Sequence, residues 1–267
     1  MKKLLYISLL ISLAACKNND KKATGTDSGT PPSTTAPKNV SYSIVTTYPH
    51  DTSSYTQGLV IYKGDLYEGT GRDGFSKLMK VDLKSGKILE QAPLTNTQFG
   101  EGITILNDTI YQLTWQNHVA FAYTLKGFKK IKEFTIGHDG WGLTNNDREL
   151  IASDGSSNLY YYEPGTFRLL RTQSITDDGA PVPNINELEY IDGYIYANQY
   201  QLPYILKIDT GSGAVVAKVD LTELWRRAQS INPQADVPNG IAFDSASKKM
   251  YITGKLWPEL YEIQLSQ

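Results

Sequence analysis

A unit repeated five times constrains this chain more than any other feature. The copies open at Gln57-Gly58-Leu59, Glu101-Gly102-Ile103, Trp141-Gly142-Leu143, Asn186-Glu187-Leu188 and Asn239-Gly240-Ile241. Successive starts lie 44, 40, 45 and 53 residues apart. In the clearest copy, 99–115, an apolar run at 102–106 leads through Asn107-Asp108 into a second run at 110–115. Asn and Asp tolerate the left-handed angles of a tight turn, so this pair between two apolar runs predicts a hairpin. The second run is marked by Tyr67, Tyr111, Ile151, Tyr196 and Tyr251 in turn. Third runs follow at 77–83, 119–125, 158–163, 204–209 and 259–265, and fourth runs at 88–92, 130–136, 169–175 and 214–220.

A period of roughly 40–45 residues with four short strands is that of a β-propeller blade. The last copy supplies three strands before Gln267, and the unassigned run at 41–48 can supply its fourth. That pairing would join the first and last blades and remove two open sheet edges. The predicted fold is therefore all-β, a five-bladed β-propeller whose last blade is closed by an N-terminal strand. One helical insertion is expected at 222–229, with Thr222 as cap, Trp225 as anchor and Asn232-Pro233 as its end. It explains the longest spacing.

The net charge of −2 gives no electrostatic footprint for nucleic acid. Tyrosine is abundant (18 residues), as suits β-strands. The only cysteine is Cys16, which excludes a disulfide within the chain and a cysteine-rich zinc site. His50, His118 and His138 lie far apart and read as surface or loop residues, so no metal and no cofactor is assigned.

Residues 1–16 read as a secretory signal: Lys2 and Lys3, then an apolar stretch at 4–13 too short to remain as a membrane-spanning helix. Leu13-Ala14-Ala15-Cys16 resembles a bacterial lipobox, which implies cleavage before Cys16 and its lipidation. Residues 17–39 carry almost no apolar side chains and cannot offset the entropy of ordering, so a flexible tether is expected. The propeller is placed at 40–267. The protein is expected in a bacterial cell envelope, held to the membrane through Cys16, facing the periplasm or the outside. Nothing suggests an oligomer, and a monomer is expected.

In a propeller the first strand of each blade lines the central channel, so residues that build the fold repeat while residues that do chemistry differ at a fixed phase. Two phases differ. One opens the first strand: Gln57, Glu101, Trp141, Asn186, Asn239. The other closes the second: Gly71, Trp115, Gly155, Tyr200, Lys255. Facing one channel mouth, they would form a single pocket with aromatic walls, one acid and one base.

The strings Tyr55-Thr56-Gln57-Gly58-Leu59, Phe99-Gly100-Glu101-Gly102-Ile103-Thr104, Gly140-Trp141-Gly142-Leu143, Ser153-Asp154-Gly155-Ser156, Asn186-Glu187-Leu188-Glu189-Tyr190 and Asn239-Gly240-Ile241-Ala242 resemble the plant- and bacterial-type glutaminyl-peptide cyclotransferases. Thr253-Gly254-Lys255-Leu256-Trp257-Pro258 is the most specific of these strings. The resemblance covers residues 41–267. It implies a five-bladed propeller and a metal-independent enzyme that cyclises N-terminal glutamine of peptides to pyroglutamate with loss of ammonia. It implies catalytic roles for Glu101, Lys255 and Asn186, and substrate contacts from Gln57, Trp115, Trp141, Tyr200, Tyr55 and Phe99. Tyr200 departs from the family's usual tryptophan, keeping an aromatic wall but adding a hydroxyl. Glu101 is expected to shuttle the proton. Burial would raise its pKa and Lys255 would oppose that shift. One rival reading is a non-catalytic lipid-anchored propeller that binds peptides or glycans. Another is a lactonase or lyase, which would need several acids around a divalent cation.

Overall fold

The computed structural model describes residues 36–266. The expected signal, with Cys16, and nearly all of the expected tether lie outside these residues.

Five antiparallel sheets follow one another in chain order, each running from an innermost to an outermost strand. Blade I comprises Thr56–Tyr62, Asp65–Thr70, Lys77–Val81 and Ile88–Pro93. Blade II comprises Gly100–Leu106, Thr109–Thr114, Val119–Thr124 and Lys130–Thr135. Blade III comprises Leu143–Asn145, Leu150–Ser153, Asn158–Glu163 and Arg168–Ser174. Blade IV comprises Ile185–Ile191, Tyr194–Gln199, Tyr204–Asp209 and Val215–Asp220. Blade V takes Pro238–Asp244, Lys249–Gly254 and Glu259–Leu265 from the C-terminal end of the chain. Its fourth strand is Tyr42–Pro49, running antiparallel to the third from Tyr42 opposite Leu265 to Pro49 opposite Glu259. The innermost strands touch in a closed ring, I to II to III to IV to V and back to I.

The repeated glycine explains that ring. A Cβ on Gly58 would stand 2.4 Å from the Ile103 nitrogen, one on Gly102 2.5 Å from the Leu143 nitrogen, and one on Gly142 2.0 Å from the Asn186 oxygen. Neighbouring inner strands pass backbone against backbone, and only a residue without a side chain fits between them. Blade IV has Glu187 at this phase. Its buried carboxylate accepts hydrogen bonds from the Leu59 nitrogen of blade I (3.2 Å) and the Ile241 nitrogen of blade V (2.9 Å), tying three blades together.

The hydrophobic core is divided among the blade interfaces. Leu59 and Leu260 pack between V and I, Leu78 and Ile103 between I and II, and Leu113 and Leu143 between II and III. Ile151 and Leu188 pack between III and IV, and Ile205 and Ile252 between IV and V. Burial falls outward: Gly100–Leu106 is wholly buried, whereas the outermost Arg168–Ser174 is almost wholly exposed.

Three expectations change. Lys38–Asn39, placed in the tether, instead pairs in parallel with Val215–Asp220, because the chain passes the open edge of blade IV on its way into blade V. The helix runs Thr222–Ile231, but Thr222 is its first residue rather than its cap. The Asp220 carboxylate takes that role, accepting from the Thr222 nitrogen (2.8 Å). His50 is not a surface residue: it is buried, within hydrogen-bond distance of the Trp257 oxygen (2.7 Å) and Glu68 Oε1 (3.2 Å).

Burial, with Glu189 nearby, holds the Glu187 carboxyl well above the ordinary carboxylate range, although its two backbone donors pull the other way. An acid whose folded pKa exceeds its unfolded one costs the fold nothing while both states hold the proton, so stability should fall as pH rises from the unfolded value toward the folded one. Glu187→Ala strands two buried N–H groups, each costing about 1–3 kcal/mol. A urea-unfolding midpoint lowered accordingly, together with a flatter dependence on pH, is the expected outcome.

Candidate active site

The inner-strand residues at the channel mouth sit on irregularities in strand pairing. Register shifts fall at Thr56/Gly58, Gly100/Ile103, Ile185/Leu188 and Pro238/Ile241 between the first two strands of their blades. These breaks bracket Gln57, Glu101, Asn186 and Asn239. A bulge adds a residue to one strand and re-aims its side chain. The polar group is thereby turned out of the blade's alternation, while the flanking apolar residues keep their place in the core.

One cavity of about 420 Å³ opens there. Its lining includes all nine residues expected to act on substrate: Tyr55, Gln57, Phe99, Glu101, Trp115, Trp141, Asn186, Tyr200 and Lys255. The walls are aromatic. Phe99 meets Trp115 edge-on at 5.6 Å, and Trp141 meets Tyr200 at 5.5 Å and 84°. The two glycines at the second phase make room for these rings. A Cβ on Gly71 would lie 2.2 Å from the Phe99 ring, and one on Gly155 2.6 Å from the Trp141 indole. Gly71, a second-phase position, also lines the cavity, as do Arg72 and Leu256, which were not anticipated. Asn239 stands behind it, donating to the Thr56 oxygen (2.8 Å) and Gln57 Oε1 (3.2 Å).

A continuous polar line crosses the pocket. Lys255 Nζ donates to Gln57 Oε1 (2.6 Å), and Gln57 Nε2 donates to Glu101 Oε1 (3.1 Å). An ammonium can only donate, so this contact fixes which way the Gln57 amide points. Lys255 also lies 4.4 Å from the Tyr55 ring centre and 5.5 Å from that of Tyr200, so both rings hold its charge. The string after Lys255 fastens it. Leu256 takes a left-handed φ of 61°, its nitrogen donates to the Ser54 oxygen, and its oxygen accepts from Asn232. The Trp257 indole then donates to the Asp236 oxygen, and the Asp236 carboxylate receives the Tyr55 hydroxyl (3.0 Å). Asp236 could not be found from the repeat phase, because it acts on Tyr55 from outside the cavity, and Asn239, which the phase did pick out, supports Gln57 from behind the cavity instead of lining it.

The acid and the base are both displaced from their ordinary values. Burial holds Glu101 well above the carboxylate range, against the pull of Lys255 and with a contribution from Asp139. Burial lowers Lys255 to about 8, against Glu101 and Asp236. Of the two opposed influences on Glu101, burial wins. Asn186 lines the cavity, and its Oδ1 is buried with no partner among the described residues. No cluster of three or more metal-ligating side chains occurs among the described residues.

A buried acid, an amide and a lysine in one line, enclosed by aromatic rings at the mouth of a five-bladed propeller, describe an enzyme-type site rather than a flat docking face. Comparison with known proteins agrees. Residues 8–265 match the family model described as glutamine cyclotransferase. The chain is 39% identical over 227 residues to a glutaminyl-peptide cyclotransferase of Arabidopsis thaliana, covering 84% of this chain and 71% of that one. The crystal structure of Myxococcus xanthus glutaminyl cyclase superposes with a TM-score of 0.81 at 35% identity, covering 86% of this chain and 98% of that one. This chain belongs to the glutamine cyclotransferase family.

Gly155 has a φ of 81°, so even a methyl group there is strained as well as crowded against Trp141. Gly155→Ala should displace the indole, lower the melting temperature and shift the tryptophan emission. Unchanged emission and melting would show that the pocket wall does not depend on this glycine.

Proposed function

We propose that this protein cyclises the N-terminal glutamine of peptides to pyroglutamate, releasing ammonia. The observation that carries the reading is the Lys255–Gln57–Glu101 line within one aromatic-walled pocket. In the reaction the α-nitrogen attacks the γ-carboxamide carbon. A carbon–nitrogen bond forms, the bond to the amide nitrogen breaks, and one proton passes from the attacking nitrogen to the leaving one.

Glu101 is the group suited to carry that proton. Burial raises its pKa, so it holds a proton more readily than an ordinary carboxylate, as accepting and then delivering one requires. The α-amine of a free terminus has a pKa of roughly 7.7–8, so little is needed to make it nucleophilic. Lys255, with the Gln57 amide, is placed to stabilise negative charge developing on the γ-carbonyl oxygen. The Asn186 amide, which lines the pocket and whose Oδ1 has no partner among the described residues, suits a hydrogen bond to the reacting glutamine. The rings of Trp115, Trp141, Phe99 and Tyr200 would hold the glutamine side chain folded toward its own amine, which removes part of the entropic barrier. The reading extends to the N-terminus: Cys16 would carry the lipid that anchors this activity in a bacterial envelope.

Ammonia release from a glutamine-initiated peptide tests the assignment. Glu101→Gln keeps the shape of the side chain and should lower kcat by about 10²–10⁴ with the fold intact. Turnover close to wild type would overturn the role. The pH profile of kcat/KM should rise as Glu101 and the substrate amine lose protons, then fall as Lys255 loses its own near about 8. Lys255→Met should abolish the falling limb and move the rising one to higher pH, because Lys255 lowers the Glu101 pKa. For the anchor, Cys16→Ser expressed in a bacterial host should move the protein from the membrane fraction to the soluble one.

A further inference from the structure

A second cavity, of about 340 Å³, adjoins the pocket. The two share Tyr55 and Arg72 in their linings, so a chain leaving one past that pair enters the other. The outer cavity is formed around the turn between the second and third strands of blade I, and Arg72, Phe75 and Lys77 line it.

This turn is built rather than loose. Ser76 Oγ donates to the Arg72 oxygen (2.8 Å) and accepts from the Arg72 nitrogen (2.9 Å) and the Gly100 nitrogen (3.0 Å). The Phe75 nitrogen donates to the Arg72 oxygen, and the Leu94 nitrogen donates to the Ser76 oxygen. The Arg72 backbone is thus fixed at the boundary of the two cavities, while its side chain stays exposed. Phe75 is 73% exposed, the most exposed of the large hydrophobic residues among those described, and its ring lies 5.8 Å from the Arg72 guanidinium. An apolar face left open beside a catalytic pocket gains from being covered.

The two charged side chains that line the outer cavity, Arg72 and Lys77, are both positive. Neither Arg72 nor Lys77 makes an ion pair among the described residues. Asp51 feels the charge of Lys77 and also accepts from the Ser53 nitrogen (2.8 Å), and Asp73 is exposed on the turn. Neither lines the cavity.

A peptide held by its first residue must send the rest of its chain out of the pocket. We infer that the Arg72–Phe75–Lys77 cavity receives the residues that follow the N-terminal glutamine and selects peptides carrying a carboxylate there. This rests on the cyclisation proposed above. The carboxylate could be an Asp or Glu side chain at the second or third position, or the C-terminus of a short peptide.

The test compares kcat/KM for Gln-Ala-Glu-Ala-amide, Gln-Ala-Gln-Ala-amide and Gln-Ala-Lys-Ala-amide, and separately for Gln-Ala as acid and as amide. The expected order is acidic above neutral above basic, by about threefold or more per step, mostly in KM and shrinking as salt is added. Lys77→Glu should reverse that order, the neutral peptide serving as reference within the same variant. A preference confined to the Gln-Ala acid assigns the carboxylate to the peptide terminus. Equal kcat/KM within both series, with cyclisation intact, overturns the subsite and leaves the activity standing. An order that Lys77→Glu does not alter also overturns it. No ammonia from any peptide overturns both readings.

Discussion

The molecule depends on how closely its inner strands pass one another. At Gly58, Gly102 and Gly142 there is no room for a Cβ, since the next blade's backbone already occupies that space. This contact sets the ring radius and gives the sequence its repeated glycine. It also leaves a narrow centre in which a single side chain can reach several blades. Glu187 does so, joining blades I, IV and V through two backbone N–H groups. A buried carboxyl is a costly bridge, and its raised pKa is the mark of that cost.

The site uses the same scaffold with local departures from it. The polar residues sit on bulges, where a strand breaks its alternation without leaving its blade. Opposite them, Gly71 and Gly155 give up side chains so that Phe99 and Trp141 can stand as walls. Lys255 is held from behind by a turn whose left-handed Leu256 is fastened by Ser54 and Asn232. The result is a lysine and a carboxyl of displaced pKa separated by one amide. Both are positioned by rigid strands or fastened turns rather than by free loops.

Much of this was legible without coordinates. The period, the Asn107-Asp108 turn and the unassigned run at 41–48 were enough for the blade count and for closure by Tyr42–Pro49. The repeat phase picked out residues that do converge, because equivalent positions in a propeller come to equivalent places around one axis. The misses share a cause. Thr222 reads as a helix cap, yet Asp220, two residues earlier, reaches the helix N–H. His50 reads as a surface or loop residue, and it does follow a strand end, yet Trp257 and Glu68 hold its side chain away from solvent. Asn239 shares the phase of the pocket residues, yet it turns behind the cavity onto Gln57, and Asp236, at neither phase, holds Tyr55 from outside the lining.

The sequence by itself therefore determined the five-fold repeat, the closure of the ring and most of the side chains at its mouth, because these follow from periodicity and local turn chemistry. Only the tertiary structure decided the balance of charge within the mouth and the shape of what lies beside it. Burial outweighs Lys255 at Glu101 because several blades exclude water from it together, a property that no stretch of chain has on its own. The outer cavity at Arg72, Phe75 and Lys77 depends likewise on contacts between segments far apart in the chain.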